Sequence, residues 1–334
     1  MSKVVSIRNL QVRIPLKGGQ MLTPVRGIDL DIDAGRTTCL VGESGSGKSM
    51  ASMALLGLLP RNAAATADSF NLVGRSFQSI DEKTLAPIRG KDIAMIFQEP
   101  MTSLNPVYSI GSQLEEVYLR HLGRDRRRAR HRATQLLERV GIDNANARLS
   151  QYPHELSGGL RQRVMIAMAL MCDPKLIVAD EPTTALDVTT QLQVLELLKE
   201  IQQDYGLSLL FITHDLGVVS HIADDVIVMY AGQIVESGPL AAVLGRPAHP
   251  YTRALLDCVP IPYRRQRGSL LGSIPGVVPS LVGVPDHCSF SSRCAHAQPL
   301  CTRQVAPLQY VDPSHWSRCH FQFPENQMAQ QDMT

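Results

Sequence analysis

The stretch Gly42-Glu43-Ser44-Gly45-Ser46-Gly47-Lys48-Ser49 constrains this chain more than any other. It comes after a short apolar run at 38–41 and opens onto an apolar segment at 48–59. The pattern therefore predicts a buried strand, a tight glycine-rich turn and a helix. Glycines let the backbone curl closely enough for its N–H groups and the helix N-terminus to face phosphate oxygens. Lys48 is then expected at the β- and γ-phosphates, and the Ser49 hydroxyl at Mg²⁺.

Such a loop needs a carboxylate for the metal, and Leu176-Ile177-Val178-Ala179-Asp180-Glu181 supplies it as a second buried strand ending in two acids. Asp180 is expected to contact Mg²⁺ directly or through water, and Glu181 to orient or deprotonate an attacking water. Apolar runs at 175–179 and 208–213 flank a helical pattern at 190–204, the βαβ rhythm of a parallel sheet. Upstream, Val5, Ile7, Val12 and Ile14, then Ile28, Leu30 and Ile32, alternate around Gly18 and Gly19, which predicts antiparallel strands. A hairpin is expected from 226–230 and 233–236, turning at Ala231-Gly232. Ala129, Ala133, Leu136, Leu137 and Val140 fall on one face of a helix within a helical stretch at about 106–151.

With 334 residues, 44% hydrophobic and 19% charged, the chain is a multi-unit globular protein rather than a disordered or fibrous one. Lys plus Arg at 33 against Asp plus Glu at 31 leave a formal charge of +2, so no global field draws it onto nucleic acid. Its longest apolar runs, at 50–59 and 164–172, are short of the roughly 18 to 20 residues that span a membrane. The first residues have no apolar signal region, so export is not expected and the cytoplasm is. From 247 onward the texture changes: 11 of the 21 prolines lie there, and four of the seven cysteines sit in the last 47 residues, which predicts a separate, loop-rich C-terminal domain.

Leu156-Ser157-Gly158-Gly159-Leu160-Arg161-Gln162-Arg163 precedes the second carboxylate strand, and with it the chain resembles an ABC-type ATPase. Gln98 after the strand at 93–97 resembles the Q-loop, Thr184-Ala185-Leu186-Asp187 the D-loop, and Ile212-Thr213-His214-Asp215 the switch-histidine segment. The resemblance implies that Gln98 lies near Mg²⁺ and hinges the helical subdomain, and that His214 touches the γ-phosphate. It also implies that Ser157, Gly158 and Gly159, a second anion site, close with Asp187 on the ATP of a partner subunit. Catalysis would rest on Glu181, His214 and Lys48; nucleotide binding on Gly42, Glu43, Ser44, Gly45, Ser46, Gly47, Lys48, Ser49, Gln98 and Asp180; and Mg²⁺ on Ser49, Gln98 and Asp180.

A closer resemblance comes from Met95-Ile96-Phe97-Gln98-Glu99-Pro100-Met101-Thr102-Ser103-Leu104-Asn105-Pro106, His249-Pro250-Tyr251-Thr252-Arg253 and Ile274-Pro275-Gly276-Val277-Val278-Pro279. These look like the oligopeptide/dipeptide branch of ABC importer ATPases. The resemblance implies an ATPase core at 1–105 and 152–246, a helical insertion at 106–151 and a C-terminal domain at 247–334. It implies two transmembrane permease subunits, a second ATPase subunit (homologous or identical) and, indirectly, an extracytoplasmic solute-binding protein, with the chain peripheral on the cytoplasmic face of the inner membrane. Peptide is the implied cargo; a nickel or other metal chelate is the alternative, and a soluble, non-transport ABC ATPase is the rival of another class. Against that rival stand the single ATPase unit, the neutral net charge and the tail motifs.

Two positions depart from the family pattern. No aromatic residue precedes Phe70, and Ile14 stands where adenine is usually stacked; Leu160 occupies a signature position where Gln or Met is commoner. Arg124, Arg126, Arg127, Arg128, Arg130 and Arg132 form a basic run, expected to be the solvated face of a helix. Cys288, Cys294, Cys301 and Cys319 are not spaced like a zinc ribbon. Four thiolates suit a [4Fe–4S] cluster or zinc, and they can also stand unligated. The resemblance tilts the expectation toward iron, while Cys39, Cys172 and Cys258 read as small buried apolar residues.

Overall fold

A computed structural model describes residues 2–184, 186–259, 272–283 and 285–321. Ala185 and the last ten residues lie outside that range.

The alternation near the N-terminus becomes two long strands, Lys3–Pro15 and Met21–Asp33, paired antiparallel with Ile7 opposite Leu30. Short strands at Ala64–Thr66, Ser69–Leu72 and Arg75–Ser76 complete this sheet. The second sheet has eight strands, in the spatial order Leu308–Asp312, His315–Arg318, Gln233–Pro239, Asp225–Tyr230, Thr37–Val41, Ser208–Thr213, Leu176–Asp180, Ile93–Ile96. The last five run parallel. The fold is thus the expected α/β one, with antiparallel strands at the N-terminus and a parallel central sheet.

Side-chain alternation splits that sheet between two cores. Cys39, Val41, Ile177, Ala179, Leu209, Phe211, Val226 and Val228 face one, which also takes the buried stripe of helix Arg126–Arg139. Leu40, Leu176, Val178, Leu210, Ile212, Ile227 and Met229 face the other, against the N-terminal sheet and helix Lys48–Leu56. Every residue of strands Thr37–Val41, Leu176–Asp180 and Ser208–Thr213 is buried, which is why these strands read as continuous apolar runs.

Helices Ile110–His121, Arg126–Arg139 and Ala145–Arg148 occupy the expected insertion. Asp125 caps the second, accepting from the N–H groups of Arg127 and Arg128. Along the basic run Arg124, Arg126, Arg127, Arg128 and Arg130 are exposed, while Arg132 reaches Asp173 and Arg139 reaches Asp204. The expected helix at 48–59 ends early, at Leu56, because Gly57 adopts a left-handed conformation (φ 64°) that terminates it.

Beyond 247 the structure adds what the sequence texture hid. Helix Pro250–Asp257 is capped by His249, and strands Leu308–Asp312 and His315–Arg318 extend the central sheet itself. The expected separate unit therefore shares the core's sheet through Glu236 opposite Ser317 and Ser237 opposite Trp316. Among the described residues no helix is long and apolar enough to cross a membrane.

Candidate functional site

The site is assembled by strand register. Val41 pairs with Thr213, Ile212 with Asp180 and Ala179 with Ile96, so these parallel strands end within about a residue of one another. The residues just past those ends, Gly42, His214, Glu181 and Gln98, lie along one edge, the carboxyl edge where open α/β sheets bind ligands.

At the phosphate loop, two glycines are required by close approach. A Cβ at Gly42 (φ 153°) would lie 2.1 Å from the Met229 carbonyl oxygen, and one at Gly47 (φ 104°) 2.1 Å from that of Pro24. Lys48 is buried, and its Nζ donates to the carbonyls of Gly42 at 2.6 Å and Glu43 at 3.0 Å. Burial lowers its pKa, an effect that Glu181, Asp180 and Glu43 oppose. The loop's remaining backbone ties reach elsewhere in the fold: the Gly232 N–H donates to the Ser46 carbonyl, and the Glu43 N–H to the Tyr251 hydroxyl.

Ser49 Oγ donates to Asp180 Oδ1 at 3.2 Å. Burial raises the Asp180 carboxyl above its ordinary range, the Ser49 bond and Lys48 opposing this and neighbouring Glu181 adding to it. Glu181 sits in the left-handed region (φ 46°), an uncommon conformation for a non-glycine residue that turns the chain sharply at the strand end. Its carboxylate is held from three directions: Gln98 Nε2 donates to Oε2 at 2.9 Å, Thr184 Oγ1 donates to the same atom at 3.1 Å, and His214 Nδ1 lies 3.0 Å from Oε1. The Glu181 side chain is 13% exposed and His214 50%. Gln98, Lys48, Ser49, Asp180, Glu181 and His214 are thus brought together, and Thr184, absent from the expected site, joins them.

The signature residues form a second group. Ser157 caps helix Gly158–Ala169, its Oγ accepting from the Leu160 N–H. A Cβ at Gly159 would meet Thr190 Cγ2 at 2.9 Å, and one at Gly158 would meet Leu186 Cδ2 at 4.0 Å. Asp187 caps helix Val188–Tyr205 through Thr190. Ser157, Gly158, Gly159 and Asp187 therefore cluster around the start of that helix. Ile14 is half-buried at the end of its strand, opposite Leu22.

Cys288, Cys294, Cys301 and Cys319 line one small cavity with His249, His296, His320 and Phe290. Burial raises the thiols of Cys288, Cys294 and Cys319, the last to about 11. Among the described residues no three His, Cys, Asp or Glu side chains are placed to hold a single metal ion. Cys39 and Cys172 are buried as expected, and Cys258 is half-buried.

Two further residues that motif reading left out touch the loop: Tyr251, through its hydroxyl, and Arg293, which pairs with the Glu43 carboxylate at 2.7 and 2.9 Å. Tyr251 lies inside a segment singled out for resemblance, a usable signal; Arg293 had none beyond standing next to Cys294.

The chain matches the family described as ABC transporter over residues 25–184 and that described as oligopeptide/dipeptide transporter, C-terminal region, over 235–301. It is 48% identical over 326 residues to a putative peptide import ATP-binding protein of Brucella melitensis, covering 95% of this chain and 96% of that one. It is 45% identical to the dipeptide transport ATP-binding proteins of Bacillus subtilis (96% of each chain) and Escherichia coli (91% of this chain, 93% of that one). Among solved structures, an ATP-binding cassette captured as a dimer in a post-hydrolysis state with ADP and Pi superposes with a TM-score of 0.63 at 26% identity, covering 71% of this chain and 98% of that one. Motif order, strand-edge geometry and these similarities together place the chain in the ABC transporter ATP-binding family, within the branch that carries the oligopeptide/dipeptide C-terminal region.

Proposed function

We propose that this chain is the ATP-hydrolysing subunit of an importer that takes up peptides. The observation that carries the ATPase half is the Glu181 carboxylate, fixed between Gln98, Thr184 and His214 and next in sequence to the Asp180–Ser49 pair. The relatives named for peptide import and dipeptide transport support the cargo half.

In this reading Lys48 meets the β- and γ-phosphates. Ser49, Asp180 and Gln98 are the residues that would hold Mg²⁺; hydroxyl, carboxylate and amide oxygens are the hard donors it prefers, and Ser49 and Asp180 already lie 3.2 Å apart. The ion would offset negative charge on the phosphate oxygens. Glu181 accepts a proton from water as its oxygen bonds to the γ-phosphorus and the bond to the bridging oxygen breaks, leaving ADP and inorganic phosphate. His214 steadies that carboxylate and faces the γ-phosphate. Ser157, Gly158, Gly159 and Asp187 serve the nucleotide held by a second ATPase subunit, so that ATP favours the closed pair and product release the open one.

For Cys288, Cys294, Cys301 and Cys319 the reading is a [4Fe–4S] cluster. What supports it is that all four line one small cavity and that four thiolates are the usual ligand set of such a cluster. Iron and sulfide analysis after anaerobic purification tests it; absence of both would leave four free thiols.

The assembly is tested by tagging the chain, extracting native membranes in mild detergent and identifying what co-purifies. Two polytopic permease subunits and a second ATPase are expected, with the chain peripheral on the cytoplasmic face. Recovery from the soluble fraction alone, or with nucleic acid, would overturn the transport reading in favour of a soluble ABC ATPase. Uptake by the reconstituted complex then separates peptide from nickel or another metal chelate.

A further inference from the structure

We propose that Arg293 is a positioning residue for the phosphate loop: by clamping Glu43 it makes the C-terminal region a working part of the nucleotide site. This rests on the nucleotide-site reading and extends it to residues outside the ATPase motifs.

Glu43 is the first residue of the loop after Gly42, and it is held at every polar group. Its carboxylate receives both arms of the Arg293 guanidinium, Nη1 to Oε2 at 2.7 Å and Nη2 to Oε1 at 2.9 Å. Its N–H donates to the Tyr251 hydroxyl at 2.8 Å, and its carbonyl accepts from Lys48 Nζ at 3.0 Å and the Ser46 N–H at 3.2 Å. The guanidinium is equally fixed from behind. Its Nε donates to the Pro275 carbonyl at 2.8 Å and Nη2 to that of Ile274 at 3.3 Å, while the group stands 5.8 Å from the Tyr230 ring centroid. The Arg293 side chain is 4% exposed and that of Glu43 28%.

The clamp acts on the loop in two ways. A carboxylate inside a loop that receives a polyphosphate repels its ligand unless it is neutralised, and a part-buried bidentate pair does that. A loop whose backbone is already fixed also spends less of its binding energy on ordering. The clamp joins three stretches of otherwise unexplained sequence: 249–253 acts through Tyr251, 274–279 through the carbonyls that fix the guanidinium, and the cysteine-rich stretch through Arg293, beside Cys294. Lysine cannot reproduce the planar fork, so the position discriminates between the two cations.

The test measures ATP binding by calorimetry, KM and kcat for phosphate release, and the unfolding midpoint, all on the full chain. The parent is measured first; a parent that does not bind ATP would undo the nucleotide-site reading, not the clamp. Arg293→Met is expected to weaken ATP binding and raise KM about tenfold, the scale of one lost charge-assisted contact, with kcat within about twofold. Adding Glu43→Gln to Arg293→Met removes the unpaired carboxylate and is expected to recover most of the loss. Arg293→Lys, which keeps the charge should Arg293→Met fail to fold, is expected to lose affinity by an intermediate factor. Parent-like affinity in Arg293→Met or Arg293→Lys would overturn the proposal. So would a loss that Glu43→Gln leaves untouched, which marks Arg293 as holding only the C-terminal fold.

Discussion

The nucleotide site and the C-terminal region are ordered by different means. At the nucleotide site, strand pairings fix where Gly42, Gln98, Glu181 and His214 fall, and each needs little beyond its place at a strand end. Past 247, position depends on single buried polar groups. The Glu236 carboxylate, with no exposure, accepts from the N–H groups of Ala248 and His249 at 2.7 and 2.9 Å and pairs with His315 Nε2 at 2.8 Å, a side chain equally buried. Where register does the placing, a side chain can be altered with loss of chemistry and little loss of fold. Where one carboxylate does it, the fold itself is at stake.

The sharpest break of that contrast is at Glu181. Glu181→Gln keeps the size and the strand end, so ATP should still bind while phosphate release falls by about 10²- to 10⁴-fold, the range of a lost general base. Steady turnover comparable to the parent would remove Glu181 from that role. Next comes Glu236→Ala, which strands His315 and two buried N–H groups. Stability should drop by about 3–5 kcal/mol, read from the urea midpoint. A change below about 1 kcal/mol would show that the C-terminal region does not hang on this carboxylate. The smallest effect is expected at the surface of the helical insertion: Asp125→Ala removes the cap of helix Arg126–Arg139 and should cost about 1 kcal/mol with ATP affinity unchanged. A fall in affinity there would mean that the two regions are less independent than register implies.

The same contrast explains what could be read in advance. Strands such as Ser208–Thr213 and Leu176–Asp180 are buried on both faces, so an unbroken apolar run announces them to within a residue. The motifs at their ends are contiguous in sequence, and the six residues expected around the phosphates do meet. Helix Arg126–Arg139 was legible because its buried stripe repeats at helical spacing. The strands at Leu308–Asp312 and His315–Arg318 were not. Both are short; the first is mostly exposed, with Tyr310 63% exposed, and the second alternates but buries the polar His315 and Ser317, so no apolar alternation marks it. Arg293 and Glu43 are 250 positions apart, and no local pattern can announce a pair of that separation. Thr184 was in view as part of a motif, but its hydrogen bond to Glu181 depends on the turn that the left-handed Glu181 imposes.

The hairpin of Leu308–Asp312 and His315–Arg318 also guards the margin of the central sheet. Without it, Gln233–Pro239 would be the outermost strand on that side, presenting a row of unpaired N–H and C=O groups to any other chain, the usual template for edge-to-edge aggregation. The hairpin moves that margin outward to a strand of only five residues, too short to recruit a neighbour readily. A chain cut after the ATPase core would therefore keep its nucleotide motifs but bare the edge at Glu236 and Ser237, because the cysteine-rich region is also the selvedge of the sheet there.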